Sequence, residues 1–275
     1  LIRGHQRSNV HQRGLQQYSY LEDKVTAVNI HPTGELMNEK YRPQFHFTPI
    51  RNWMNDPNGL LYYKGKYHLF FQHNPQANVW GNMSWGHAVS ADLYSWEELP
   101  VAINCTPTSG IFSGSALVDF ENTSGFGTKE NPPIVAIYTE HQNDESNQSQ
   151  CLAYSVDEGL TFTKYEGNPV LDINLPNFRD PKVSWIDGQW IMTLALPQEF
   201  KISFYSSPNL KEWTHLSDFG PAAEIGGIWE CPDLFQLGDK WVLIVSLNPG
   251  GFQIGSGTQY FVGQWNGKEF IADDV

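Results

Sequence analysis

The chain has 275 residues, with 10 Trp, 12 Tyr and 16 Phe beside 24 Gly and 17 Pro, and a formal net charge of −13. A charged fraction of 17% and an aromatic fraction of 14% exclude a disordered chain, which would be poor in rings and rich in charge. The acidity disfavours a nucleic-acid partner, because a phosphate backbone repels it.

The opening stretch, residues 1–40, is polar and lacks sustained periodicity. It carries clustered basic groups (Arg3, His5, Arg7, His11, Arg13) and reads as a solvated extension with a short helix from around Glu35. From residue 41 to 275 the texture becomes that of one all-β domain. The block from Asn58 to Gln72 is strand, tight turn at Lys64-Gly65, strand. A strand at Trp85–Ser90 follows. Three further blocks begin near Ser113, Asp180 and Cys231, with hairpin turns at Asp187-Gly188 and Gly238-Asp239 in the last two. Such dipeptides between alternating apolar stretches are strong hairpin signals. The later strands carry Ser-x-[Asp/Asn]-Leu-x-x-Trp or a near copy, at Ser90–Trp96, Ser155–Phe162 and Ser207–Trp213. Four antiparallel sheets in a row predict a β-propeller, in which blades pack radially.

Three acidic motifs stand at the starts of blades: Trp53-Met-Asn-Asp56-Pro, Arg179-Asp180-Pro and Trp229-Glu230-Cys-Pro. The start of an innermost strand lies beside the central channel, so acids at that register in three blades converge on one pocket. A proline one or two residues on stiffens the backbone that presents each carboxylate. Two carboxylates facing one bond are what glycoside hydrolysis needs, one ionised and one holding its proton. Flanking Trp53, Trp80 and Trp229 are expected to stack on sugar faces. Trp96 and Trp213 are expected to pack the blades, and Cys231 to be a small neighbour of the acid rather than a nucleophile.

Other chemistries find little support. Nine histidines show no HExxH and no Cys/His pairing at zinc spacing, so no metal is expected. Three cysteines are too few for a disulfide framework, although Cys105 and Cys151 leave room for one bridge. The longest apolar runs, such as Trp241–Val245, are too short for a bilayer, so no membrane is expected. Sequons at Asn82, Asn104, Asn122 and Asn147 favour a secreted, glycosylated protein. The chain opens on Leu1 rather than Met, which leaves room for a removed signal.

WMNDPNG, RDP and ECP in that order, with FHFTP (45–49), WGHAVSADLYSWEELP (85–100), FSGS (112–115) and NFRDPKV (177–183), resemble glycoside hydrolase family 32, the invertases, exo-inulinases and levanases. The resemblance runs from about residue 41 to the end. It implies a five-bladed propeller followed by a β-sandwich, of which about four blades are present in this sequence. It implies Asp56 as nucleophile, Glu230 as acid/base and Asp180 as transition-state stabiliser, with no metal or organic cofactor. Asn55, Gln72, Trp80, Phe112, Ser113 and Arg179 would line a fructose pocket, flanked by Trp53. The implied reaction releases terminal β-fructosyl units from sucrose, inulin or levan with retention, for which the two working carboxyls stand about 5–5.5 Å apart. Transfer of fructose to another sugar, or a non-catalytic fructan-binding role, is the alternative.

Overall fold

The computed structural model describes residues 39–43, 45–250 and 254–274. The chain divides into two compact units, Leu1–Gln44 and Phe45–Val275. The extension expected over 1–40, with its helix near Glu35, lies outside the described residues except for Glu39 and Lys40.

The second unit is built from strands. The first sheet is β1 (Trp53–Tyr63), β2 (Lys66–Asn74), β3 (Ser84–Ser90) and β4 (Trp96–Ile103). The second is β5 (Ser109–Val118), β6 (Ile134–Gln142), β7 (Gln148–Ser155) and β8 (Thr163–Lys164), with β9 (Leu171–Leu175) also paired to β7. The third is β10 (Arg179–Ile186), β11 (Gln189–Leu196), β12 (Lys201–Ser207) and β13 (Thr214–Phe219). The fourth is β14 (Ile228–Leu237), β15 (Lys240–Asn248), β16 (Gly257–Trp265) and β17 (Phe270–Ala272). Every pairing is antiparallel and, β9 aside, between neighbours in sequence.

The anticipated turns form. Lys64-Gly65 and Asp187-Gly188 both take positive φ, as two-residue hairpins that follow the strand twist require. The Ser-x-Asp/Asn motif has a local explanation. Ser90 Oγ accepts from the amides of Asp92 and Leu93, while Asp92 Oδ1 accepts from those of Tyr94 and Ser95. The motif is thus a self-capped turn from third to fourth strand, and its Trp closes it: the indoles of Trp96 and Trp213 donate to the carbonyls of Leu93 and Leu210.

Sheets stack face to face through three apolar interfaces. Phe70 and Trp85 of the first meet Ile111 and Tyr138 of the second. Val135, Ile137 and Leu152 of the second meet Trp190, Met192 and Leu194 of the third. Phe204 and Ile191 of the third meet Trp229, Leu243 and Phe261 of the fourth. Strand β11 shows why period-two patterning fits this architecture. Its residues 190, 192 and 194 enter one interface while 191 and 195 enter the next, so both faces are buried. The innermost strands follow one another in contact, β1 with β5, β5 with β10 and β10 with β14. This is a β-propeller arrangement of four blades. Cys105, Cys151 and Cys231 are all free, so the bridge left open by the sequence is not made.

Candidate active site

Each innermost strand carries a β-bulge at the same place. In β1, Asn55 and Asp56 oppose the single residue Gln72; in β5, Phe112 and Ser113 oppose Thr139. In β10, Asp180 and Pro181 oppose Leu194; in β14, Cys231 and Pro232 oppose Val245. A bulge interrupts the ladder and re-aims side chains. Asp180 and Cys231 pass through it at φ of 65° and 47°, a region that costs a non-glycine residue energy and that the surrounding ladder enforces. Gly114, which ends the β5 bulge, is needed for close approach: a Cβ there would lie 2.1 Å from the Ile137 carbonyl oxygen.

The bulges also correct the expectation of one shared register. Counted from the last paired residue, Glu230 is that residue, Asp180 is the next and Asp56 the one after. The three acids occupy three successive positions, so each reaches the axis from a different height.

They line one cavity of about 470 Å³, together with Asn55, Gln72, Trp80, Phe112, Ser113 and Arg179. Buried Gln72, Ser113, Arg179 and Asp180 form the floor; half-exposed or exposed Trp80, Phe112, His141, Glu145 and Asn248 form the rim. Both oxygens of Asp56 accept hydrogen bonds, Oδ2 from the Ser113 hydroxyl (2.6 Å) and Oδ1 from the Asn55 amide (3.2 Å). Trp53 is not in the cavity wall. Its indole N–H donates to Asn55 Oδ1 (2.8 Å), so it acts through Asn55.

Glu230 Oε1 accepts two N–H groups of Arg179, from Nε (3.2 Å) and Nη2 (2.8 Å), and Oε2 accepts the Asn248 amide (2.9 Å). The Arg179 guanidinium is itself fixed by Asn177 (3.0 Å) and Gln148. Asp180 accepts the Cys231 main-chain N–H (2.9 Å), and the guanidinium stands 3.9 Å away. Burial raises its carboxyl to about 6; Arg179 and the Cys231 amide oppose the rise, while Glu230 and Asp56 add to it. Part of Cys231 is accessible, yet protein atoms crowd it. That desolvation, and the charges of Asp180, Asp56 and Glu230, push its thiol well above the usual range, which removes it as a thiolate nucleophile.

One aromatic expectation is overturned. Trp229 is fully buried between the third and fourth sheets and its indole donates to the Glu224 carbonyl, so it cannot stack on a ligand. Position 229 precedes Glu230, and side chains alternate along a strand, so an acid aimed at the axis sends its neighbour into the core. The sequence reading missed His141, Glu145, Gln148, Pro176, Asn177 and Asn248. Asn177, two residues before Arg179, was within reach of the motif. Asn248 ends β15.

Gln72 holds a further clue. It is 3% exposed, yet its Nε2 has no hydrogen-bond partner among the described residues. A buried donor in a cavity wall invites a ligand acceptor.

Carboxylates grouped around one cavity suit glycosidic-bond chemistry, presented here on a β-propeller. More narrowly, the chain belongs to glycosyl hydrolases family 32: the model of that family's N-terminal domain matches residues 46–275. A levanase of Bacillus subtilis is 52% identical over 244 residues, covering 85% of this chain and 36% of that protein. An extracellular exo-inulinase of Aspergillus niger is 47% identical over 270 residues, covering 86% of this chain and 50% of that protein. The crystal structure of exo-inulinase from Aspergillus awamori superposes with a TM-score of 0.81 at 46% identity, covering 86% of this chain and 52% of that one. The chain thus spans half or less of the length of these curated relatives.

Proposed function

We propose that the protein is a retaining glycoside hydrolase that releases terminal β-fructosyl units from sucrose or fructans, outside the cell. The observation that carries this reading is the meeting of Asp56, Asp180 and Glu230, from three blades, in one cavity. Asp56 is the nucleophile: its ionised carboxylate attacks C2 of the fructosyl unit. Glu230 protonates the leaving oxygen as that bond breaks. The Arg179 guanidinium on Oε1 and the Asn248 amide on Oε2 hold the carboxyl in place for this transfer. Water then attacks the fructosyl–enzyme ester, and Glu230 takes the proton back. Asp180, at the buried floor, accepts from fructosyl hydroxyls as positive charge develops at the ring. Gln72 Nε2 donates to a hydroxyl, which satisfies its orphaned N–H. The extracellular exo-inulinase relative supports secretion.

The test is incubation with sucrose, inulin and levan, with products resolved by chromatography and the first-formed anomer identified by NMR. Free fructose formed with retained configuration, and its loss in Asp56→Ala, is the expected result. An inverted first product removes Asp56 as nucleophile. Oligosaccharides in place of free fructose identify a transferase.

A further inference from the structure

The rim of the cavity contains a histidine whose protonation pattern is dictated by its neighbours. The Phe178 main-chain N–H, which can only donate, points at Gln148 Oε1 (3.0 Å), and Arg179 Nη1 donates to the same oxygen (3.4 Å). The Gln148 amide is therefore oriented: its oxygen faces those donors and its Nε2 faces His141 Nδ1 (3.3 Å). An amide NH₂ has no lone pair to offer, so His141 Nδ1 must accept. The imidazole is then neutral, with its hydrogen on Nε2. That nitrogen has no hydrogen-bond partner among the described residues, and His141 lines the cavity. The ring is held in place by stacking on Phe112, with centroids 4.3 Å apart and planes 16° apart. Trp80 meets Phe112 edge-on at 6.0 Å, so the three rings form one aromatic group at the cavity.

We infer that His141 is a substrate-positioning residue at the mouth of the cavity, donating from Nε2–H to a hydroxyl of the sugar that leaves. This inference rests on the fructosidase reading above. The terminal fructosyl unit takes the buried floor with Asp180 and Gln72, so the remainder of the substrate lies at the rim, where His141 is half-buried. A neutral donor suits that place, because hydroxyls accept it without the desolvation cost of a cation. Protonation would set Nδ1–H against the Gln148 NH₂ and disrupt an amide that also holds Arg179. The surroundings resist this. Burial foremost, and the Arg179 charge from β10, lower the imidazole pKa; Glu145 and Asp144, from the turn between β6 and β7, oppose them. The neutral form therefore persists below the usual histidine range and gives way as pH falls through the lowered value, when Nε2–H remains but the Gln148 contact is broken.

The experiment compares sucrose with an aryl β-fructoside, whose leaving group has no hydroxyl, in wild type, His141→Phe and His141→Gln. His141→Phe keeps the stacking ring and loses the donor. Its KM for sucrose is expected to rise about fivefold, the value of one neutral hydrogen bond, with kcat little changed and the aryl substrate unaffected. His141→Gln, which restores an N–H, is expected to recover most of the loss and to lack the acid-side rise in KM expected of wild type as its imidazole protonates and the Gln148 contact breaks. Nitrogen-15 NMR of the imidazole provides a readout independent of turnover. Nδ1 is expected bare and Nε2 protonated at neutral pH, and Gln148→Glu is expected to move the protonation to higher pH. An Nδ1–H signal in wild type at neutral pH overturns the inference, as does an unchanged sucrose KM or an equal loss on both substrates. In those cases turnover by wild type leaves the fructosidase reading standing. Wild type that cleaves neither fructoside refutes that reading, and this inference with it.

Discussion

The innermost and outermost strands of the four sheets make opposite uses of the same antiparallel ladder. The inner strands β1, β5, β10 and β14 each break it with a bulge; bulged residues of β1, β5 and β10 line the cavity, and β14 reaches it with Glu230 just before its bulge. The outer strands β4, β8, β13 and β17 are short or largely accessible and bring no side chain to it. Function is concentrated where regular pairing is interrupted, because a bulge turns two consecutive side chains toward a space that strict alternation would show only one. The outer ladders shield edges. Between them lie the apolar interfaces, which hold the inner strands around the cavity.

Substitutions at successive distances from the axis test this division. The largest effect is expected for Glu230→Ala, with kcat/KM on sucrose lowered by at least roughly a thousandfold. Because protonation of the leaving group is its first task, an aryl fructoside with a good leaving group should recover much of the first chemical step. Burst kinetics on the two substrates measure this, and equal losses on both would remove Glu230 as the acid.

Trp229→Ala probes the neighbouring position on the same strand, turned the other way. It empties a fully buried site between two sheets, and a loss of about 3–5 kcal/mol in urea unfolding is expected. A variant that keeps its stability but loses substrate affinity would return Trp229 to the cavity.

Asp180→Asn separates stability from activity at the buried floor. The folded carboxyl is raised to about 6 from an ordinary 3.8, so folding favours its protonated form. Its contribution to stability is full below the unfolded value and is lost as pH rises through about 6. The amide cannot ionise, so Asp180→Asn is expected to be more stable than wild type above pH 6, by roughly 3 kcal/mol. The gain should vanish below the ordinary carboxylate pKa, while activity falls at every pH. Denaturation midpoints across that range decide it; a constant difference refutes the assignment.

The smallest effect belongs to the far end of the blades. Lys64 and Glu158 form an exposed ion pair at 2.8 Å between the first two sheets. Solvent and salt screen such a pair. Lys64→Ala should leave both the thermal midpoint and the activity unchanged, and a clear drop in either would show that outer contacts support the axis.

Much of the scaffold was legible because its signals are local. Lys64-Gly65 and Asp187-Gly188 specify hairpins by their φ preferences, and the near-continuous apolar run of residues 190–195 suits a strand buried on both faces. The fourth strand of each sheet was not legible: β8 has two residues, and β4 contains Pro100, tolerated on an edge. The acids were recognisable through their motifs, and nine of the eleven site residues expected from the sequence line the cavity. Trp53 stands one hydrogen bond behind it, and Trp229 was misjudged because adjacency in sequence is not a shared face in a strand.

The sequence by itself determined the all-β architecture, the turns, and which carboxylates belong together, since each follows from short-range stereochemistry or from a motif. Only the tertiary structure decided how those carboxylates are presented. Bulge position depends on pairing with a neighbouring strand, and so the three acids reach the axis from three successive positions rather than one. The orientation of Gln148, and with it the hydrogen on His141, likewise depends on a main-chain N–H some thirty positions away, at Phe178, delivered by the fold. Hydrogen-bond direction is a property of assembled neighbours, and no reading of residues in isolation contains it.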